Sequence, residues 1–209
     1  MQSGIIRNNA FEIAIRLMAL SAAAVFVHRA GLAYLSDPGR VTLLLLLLSE
    51  TATFIIMLLS RRPTVRDWNP LTVIFTLTAT FLYPLFVDTA PGRQLIGEGT
   101  GAAIQTIGLA WAVYAKLSLG RSFGLLPARR GIVVNGAYRW VRHPIYLGYF
   151  VTHMGFLLAN LTLQNLVVYT ALYAMQVYRI LREEKVLSED EAYTVYRRQV
   201  RYRAIYGLF

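Results

Sequence analysis

A short polar stretch around one proline carries the residues best suited to chemistry. Arg142 and His143 directly precede Pro144, and an apolar run follows. Proline has a fixed φ, lacks an N–H and disfavours helical geometry in the preceding residue, so a helix is expected to begin at Pro144. The N-terminus of a helix carries unpaired N–H groups and a partial positive charge. This corner is therefore a candidate site for an anion or carboxylate, or alternatively a cationic anchor among lipid headgroups.

Two adjacent glutamates, Glu183 and Glu184, follow about forty residues later. From Pro144 to a turn near Leu161 is about 17 residues, roughly 26 Å of helix, and from Asn165 back to Glu183 is about 18 residues, roughly 27 Å. Because the two rises nearly cancel, we expect both glutamates to return to the depth of the Arg-His-Pro corner. The alternative is that they pair with neighbouring cations on their own helix.

A zwitterionic amino-acid moiety suits this set of groups. Its carboxylate matches a helix N-terminus with Arg142 and His143, and its ammonium matches Glu183 or Glu184. Nearby tyrosines can cover a cationic or aromatic remainder. S-adenosyl-L-methionine is a ligand of this kind.

The elements that must position these residues are apolar helices. The chain has 209 residues, of which 56% are hydrophobic and 15% charged, with a mean hydropathy of +0.47. Apolar segments at about 10–34, 41–60, 70–88, 94–119, 145–159 and 164–182 are predicted as helices. The first four are long enough to cross a hydrocarbon core of about 30 Å. The first is interpreted as a retained helix and not as a signal peptide.

We therefore predict an all-α integral membrane fold with about five to six transmembrane helices. The last two helices form a hairpin, and an amphipathic C-terminal helix, ending near Arg203, lies in the cytosol. The prediction divides the chain into N-terminal transmembrane helices, residues 1–114, and a cofactor-binding core, residues 115–209.

The charge balance indicates orientation and partners. Lys and Arg number 21 against 11 Asp and Glu. A six-pass arrangement leaves Arg29, Arg40 and Arg93 on one side and 17 of the 21 cations on the other. By the positive-inside rule, the corner and the tail are cytoplasmic. Because the chain is so apolar, anionic lipid headgroups are a better candidate partner for its basic residues than nucleic acid is. The absence of cysteine excludes disulfides and thiolate metal sites, no metal site is predicted, and the oligomeric state is left open.

The ordered motif of the second half resembles the C-terminal core of the isoprenylcysteine carboxyl methyltransferase and phospholipid methyltransferase group. It reads Gly136-x-Tyr138-x-x-x-Arg142-His143-Pro144-x-Tyr146-x-Gly148, then Glu183-Glu184 and Tyr193-x-x-Tyr196. The resemblance covers roughly residues 115–203. The upstream Leu119-Gly120-Arg121-Ser122-Phe123 is similar to the start of that core.

The resemblance implies that S-adenosyl-L-methionine binds in a pocket closed by the hairpin and the tail, with a lipidic acceptor entering from the bilayer. Glu184, with Glu183, would hold the donor's amino group, and Arg142 would orient the acceptor or a carboxylate. Arg142 and Glu183 are the candidate catalytic residues. The other residues that would line the donor pocket are Tyr138, His143, Pro144, Tyr146 and Gly148.

The expected function is methyl transfer to a lipidic or prenylated acceptor at the cytoplasmic membrane face. Isoprenylcysteine-type carboxyl O-methylation is the first choice, and phospholipid N-methylation the second. A carboxylate needs no base, whereas an ammonium must lose a proton, for which His143 and Glu183 are candidates. A nicotinamide-dependent reductase is a further alternative, since sterol reductases carry a similar corner, and so is a non-catalytic lipid-binding protein.

Two of the ionisable residues inside apolar segments, Glu50 and His153, are further candidates for a role at the site. A charge such as that of Glu50 is costly in the bilayer, so this residue is expected to face the bundle interior or a cavity, where it touches substrate or bonds a neighbour. His153 lies at helical spacing from Tyr146 and Tyr149. It either extends the pocket wall or is an ordinary core residue, and the sequence leaves both roles open.

Overall fold

The structure is a computed structural model, which describes residues 2–59, 69–119 and 133–209. In this part of the chain there is no β-strand, and an isolated bridge pairs Arg93 with Leu161. A π-helical turn joins α3 to α4, and a 3-10 turn precedes α6. The all-α prediction is confirmed. The helices are α1 (Gln2–Ser36), α2 (Val41–Leu59), α3 (Pro70–Leu77), α4 (Tyr83–Phe86), α5 (Glu98–Leu119), α6 (Pro144–Ala159), α7 (Leu163–Leu187) and α8 (Glu191–Gln199).

The helix surfaces are those of a membrane protein. Within the described ranges, Arg16–Ser36 and Glu98–Leu119 are long and apolar enough to cross a membrane, and three shorter apolar helices accompany them. Large apolar side chains lie on the outside, among them Leu17 (59% exposed), Ile107 (66%) and Leu117 (75%). Such a surface suits lipid. The five to six crossings stay a prediction, as does the orientation, since Arg61, Arg62, Arg66, Arg121, Arg129 and Arg130 lie outside the described residues.

Several helix boundaries differ from those predicted. α5 begins at Glu98 because the preceding residues are tied to the α6–α7 turn: Arg93 N donates to Leu161 O, and Leu95 N donates to Leu158 O. α5 also runs unbroken through the predicted domain boundary at residues 114–115. α7 extends to residue 187. The tail helix, α8, is shorter than predicted, since it ends at residue 199 and the chain continues without helix.

α5 and α6 pack closely along their length because glycines and other small residues lie at their contact. A Cβ added to Gly108 would lie 2.5 Å from the backbone N of Thr152, and one added to Gly148 would lie 2.8 Å from the backbone N of Ala112. Small residues of this kind let helix backbones approach each other in membranes. The pair forms the frame on which the N-terminal end of α6, and therefore the Arg-His-Pro corner, is held.

A buried polar network joins the opposite end of α6 to the neighbouring helices. Arg40, only 6% exposed, donates to Asn160 Oδ1 (2.8 Å) and to the carbonyl of Ala90 (3.2 Å). Asn160 in turn donates to Thr42 Oγ1 (2.8 Å), and that hydroxyl donates to Glu98 Oε2 (2.8 Å). Because each bond links segments distant in sequence, the network fixes α2, α5 and α6 relative to one another.

We predict that Gly108→Ala destabilises the protein whereas Gly99→Ala, on the same helix, does not. The methyl group at position 108 would overlap the α6 backbone, which costs about 1–3 kcal/mol, while nothing lies within 4 Å of a Cβ at Gly99. Thermal unfolding in detergent measures both variants. Equal midpoints for the two would show that the α5–α6 contact tolerates an added methyl group.

Candidate active site

The carboxylate of Glu184 is the centre of the corner. It is 4% exposed and accepts hydrogen bonds from Arg142 Nε on Oε1 (2.6 Å) and from Arg203 Nε on Oε2 (2.8 Å). Tyr193 Oη donates to Oε1 at 3.4 Å. His143 Nε2 also lies 3.4 Å from Oε1. As the helix arithmetic predicts, α6 and α7 bring Glu184 back beside Arg142 and His143. The side chains that bond its carboxylate in the described part of the chain come from outside its own helix.

Glu184 is ionised throughout the physiological range. Burial alone would raise its pKa, but the imidazole of His143 and the guanidinium groups of Arg142 and Arg203 outweigh burial and lower the pKa from 4.5 to about 2. A buried carboxylate is stable in its charged form only when opposite charges and donors surround it. The corner therefore holds a permanent negative charge enclosed by cations.

Arg142 connects this carboxylate to the C-terminal tail. It is 6% exposed, and its Nη1 donates to the carbonyl oxygens of Val200 and Arg201, both at 2.8 Å. The backbone continues the contact, since Arg142 N donates to Tyr202 O (3.0 Å) and His143 N to Arg203 O (2.6 Å). The tail thus lies directly against the corner. We define residues 200–203, together with Arg142 and Glu184, as the clamp.

Tyrosines fill the space beneath the clamp. Tyr138, Tyr193 and Tyr196 pack with Val200 in one buried cluster, and Tyr196 Oη donates to the carbonyl of Tyr138 (2.6 Å). Burial raises the pKa of Tyr138 well above its usual value, and the nearby carboxylate of Glu183 raises it further. These phenols are therefore neutral hydrogen-bonding groups, and Tyr138 lies close enough to Glu183 to sense its charge.

Glu183 differs from its neighbour in how few partners it has. It is half-buried, and among the described residues its carboxylate accepts one long hydrogen bond, from Tyr146 Oη at 3.4 Å. The guanidinium of Arg179 lies 5.6 Å from the centroid of the Tyr146 ring. The carboxylate of Glu183 is thus placed at the corner with capacity to accept further hydrogen bonds, whereas that of Glu184 is already enclosed.

His143 offers an unsatisfied polar atom at the same place. The residue is 5% exposed, and its Nε2, although within ion-pair distance of Glu184, has no hydrogen bond of acceptable geometry among the described residues. It immediately precedes α6, whose 16 residues begin at Pro144. A buried imidazole nitrogen without a well-formed hydrogen bond, next to a helix N-terminus, suits an anionic or polar ligand group.

Two other predicted pocket residues contact α5. The carbonyl of Pro144 accepts a hydrogen bond from Trp111 Nε1 (3.0 Å), and Gly148 lies against Ala112 without space for a Cβ. The structure therefore gives Gly148 a packing role in the α5–α6 contact. Its contact with a donor, and the ligand roles of the other seven residues, stay predictions.

Two residues of the corner were not singled out by sequence reasoning. Arg203 completes the ring of donors around Glu184, and Arg179 covers the ring of Tyr146. Arg179 has the detectable signal of lying one helical turn before Glu183. Arg203 has no such signal, because its contact depends on a tail that leaves α8 and returns to the corner.

The match to known proteins begins inside α5. Residues 101–189 match the family model described as the isoprenylcysteine carboxyl methyltransferase family. The matched segment contains α6, α7, the corner and both glutamates. This core of the chain is similar to the isoprenylcysteine carboxyl methyltransferase family. The predicted resemblance is thereby confirmed, and the part of the resembling motif at residues 120–123 lies outside the described residues.

The fold is also similar to a solved structure. That protein is a eukaryotic intramembrane Ras methyltransferase, isoprenylcysteine carboxyl methyltransferase, with a TM-score of 0.53 and 21% sequence identity. The match covers 80% of this chain and 65% of the eukaryotic one. At this identity the comparison establishes a common fold. No curated protein matches the sequence.

We predict that Glu184→Gln destabilises the protein at neutral pH by about 3 kcal/mol, the cost of breaking a buried ion pair. The folded-state pKa of Glu184 is below its ordinary value. Its contribution is therefore present at pH values above about 4.5 and is lost as the pH falls through about 2. Thermal unfolding at neutral and at acidic pH should show a smaller acid-induced loss in the variant than in the wild type.

Glu183→Gln is the matched control for this experiment, because its carboxylate accepts one weak hydrogen bond and lies outside the clamp. Limited trypsin digestion adds a local readout, since release of the tail frees the half-buried Arg203 from Glu184. An unchanged midpoint and an unchanged digestion pattern in Glu184→Gln would contradict the clamp.

Proposed function

We propose that this protein is a methyltransferase that transfers a methyl group from S-adenosyl-L-methionine to a lipid-like acceptor at the cytoplasmic face of a membrane. The observation that supports this most is the convergence of three features at one corner. These are the unsatisfied Nε2 of His143, the N-terminus of α6 and the half-buried carboxylate of Glu183. They lie within the segment that matches a methyltransferase family.

The chemistry of these groups fits a donor with both a carboxylate and an ammonium. The carboxylate would be bound by His143 and the N-terminus of α6, next to the buried Pro144. The ammonium would be bound by Glu183, whose carboxylate has capacity for further donors, and Tyr146 would hold that carboxylate in place. Tyr138 lies at the same corner and would cover the sulfonium or the aromatic part of the donor.

Glu184 and Arg142 receive a different role in this proposal. Both are already bonded to each other, and Arg142 is also bonded to the tail. We therefore assign them a positioning role, in which they hold His143 and Glu183 at the corner. A direct contact of Glu184 with the donor ammonium, or of Arg142 with the acceptor, as the resemblance implies, requires the clamp to open.

S-adenosyl-L-methionine supplies a methyl group activated by a positively charged sulfur. The protein's residues need only align the donor with the acceptor and exclude water, which is the usual source of acceleration for such a displacement. Burial of the corner beneath the tail supports both tasks, because Tyr138, Tyr193 and Tyr196 leave little space for solvent.

The acceptor that the family favours is the carboxylate of a prenylated cysteine, and a phospholipid amine is the second candidate. Either is amphiphilic and would approach from the bilayer, in keeping with the apolar helix surfaces. A carboxylate requires no base, so no titrating residue of the corner needs to accept a proton.

We predict saturable binding of S-adenosylhomocysteine to detergent-purified protein, measured by calorimetry. His143→Ala and Glu183→Gln should each weaken it by about ten-fold, the effect of losing a charge-assisted hydrogen bond of roughly 1.5–3 kcal/mol. The matched controls are His28→Ala and Glu191→Gln, which remove exposed side chains. If both site variants are folded and bind as well as the controls do, the donor assignment is wrong.

An assay that measures the transfer of radiolabelled methyl groups to a total lipid extract and to N-acetyl-S-farnesylcysteine would identify the acceptor. Release of label by mild base indicates a methyl ester, whereas retained label on an amine headgroup indicates N-methylation. Transfer to neither substrate by protein that binds S-adenosylhomocysteine would exclude both acceptor classes.

A further inference from the structure

A second polar cluster lies deeper between the helices, away from the corner. His153 of α6 has its Nδ1 2.7 Å from Tyr173 Oη, its Nε2 3.1 Å from Tyr83 Oη and the same Nε2 3.5 Å from Glu50 Oε1. These residues come from α2, α4, α6 and α7. A phenol, an imidazole and a carboxylate therefore stand in line in the apolar interior. We call Tyr173, His153 and Glu50 the triad.

Burying these ionisable side chains in the apolar interior costs free energy, which a purely structural role for the cluster would not explain. Glu50 is 6% exposed and His153 is 4% exposed, and ionisable groups within membrane helices are rare and usually functional. A further phenol, Tyr169, packs against the His153 ring with centroids 5.1 Å apart, and its buried Oη has no hydrogen bond among the described residues. The cluster thus contains a polar group, the Tyr169 hydroxyl, that its hydrogen bonds within the described residues do not use.

The triad is linked to the corner by the contact between α6 and α7. These two helices meet mainly through long side chains, in contrast to the close α5–α6 contact. Tyr149 stacks on His153 with an interplanar angle of 14°, and Tyr146, one turn earlier on α6, reaches Glu183. The spacing from Tyr146 to His153 is seven residues, roughly 10 Å of helix.

Tyr173 is the member of the triad that an acceptor can reach. It is half-buried, whereas Glu50 and His153 are enclosed. When Nε2 of His153 carries the proton, it donates to Tyr83 Oη and towards Glu50, and Nδ1 accepts from the Tyr173 hydroxyl. A base oriented by a carboxylate and bonded to a hydroxyl is the arrangement that removes protons in many enzymes.

We infer that the triad accepts the proton of a second class of acceptor, lipid-soluble molecules with a phenolic O–H nucleophile. This inference rests on the proposed function, because the methyl group comes from the donor at the corner. A carboxylate acceptor would not need the triad, because it is already ionised. A phenol needs a base, since its neutral oxygen is a weak nucleophile.

The step balances as follows. The phenol's proton passes to Tyr173 Oη while the Tyr173 proton passes to Nδ1 of His153, and the resulting imidazolium is paired with Glu50. The phenolate oxygen forms a bond to the methyl carbon as the carbon–sulfur bond breaks. The electron pair of that bond stays on sulfur and neutralises the sulfonium, so the products are an aryl methyl ether, S-adenosylhomocysteine and one proton on His153.

The test compares 3-pentadecylphenol with N-acetyl-S-farnesylcysteine as acceptors for the purified full chain. We expect wild-type protein to methylate the phenol, and Tyr173→Phe and Glu50→Gln to lower that rate by about 100-fold, the usual contribution of a general base. Both variants should retain their affinity for S-adenosylhomocysteine and their rate with the cysteine acceptor. Tyr169→Phe is the matched control, because it removes a neighbouring hydroxyl that does not bond to His153.

A spectroscopic readout without donor supports the same comparison. A nitro-substituted alkylphenol bound at a pH below its own pKa should show phenolate absorbance with wild-type protein and with Tyr169→Phe, but not with Tyr173→Phe or Glu50→Gln. At a pH where this probe is already ionised, its methylation should be restored in Tyr173→Phe, which a loss of folding would not permit.

The outcomes separate the two proposals. Absence of S-adenosylhomocysteine binding would overturn the proposed function and the inference with it. Binding of S-adenosylhomocysteine without methylation of the phenol would overturn the inference alone. Equal losses for both acceptors in Tyr173→Phe, or losses as large in Tyr169→Phe, would show a structural role for the cluster and would also overturn it.

Discussion

The ion pair between Glu184 and Arg142 is the interaction on which the corner depends. It joins the C-terminal part of α7 to the residues that precede α6, and Arg142 extends it to the tail through two backbone carbonyls. Two buried charges are costly to remove from water and are stable only with good geometry and additional hydrogen bonds. Arg203, Tyr193 and the backbone of the tail supply those bonds. The same bonds bury the site, so stability and closure of the corner have one origin.

The clamp also separates the roles of two adjacent glutamates. On a helix, neighbouring side chains are about 100° apart, so Glu183 and Glu184 face different surroundings although they are chemically the same. Glu184 faces cations and is enclosed, whereas Glu183 faces Tyr146 and remains half-buried. A paired-glutamate motif at this place therefore provides one structural anchor and one carboxylate with capacity for a ligand.

The two contacts of α6 differ in a way that suits these roles. Its contact with α5 is made by glycines and small side chains, which bring the backbones together and leave no space for a ligand. Its contact with α7 is made by large aromatic and charged side chains, including Tyr146, Phe150 and His153. Rotamer changes in long side chains can admit a ligand between helices, whereas backbone contacts cannot adapt in this way. The face of α6 that could adapt to a ligand is thus the one that faces α7.

The sequence by itself determined the all-α class, the start of α6 at Pro144 and the return of the glutamates to the corner. These follow from apolar periodicity, the fixed φ of proline and the constant rise of a helix, which are local properties. The family motif then indicated the ligand. Only the tertiary structure decided that Glu184 is enclosed while Glu183 is not, that the tail leaves its helix at residue 199 to lie on the corner, and that Glu50 joins His153 and Tyr173. Each of these depends on contacts between segments far apart in the chain, and their geometry is set by how the helices pack.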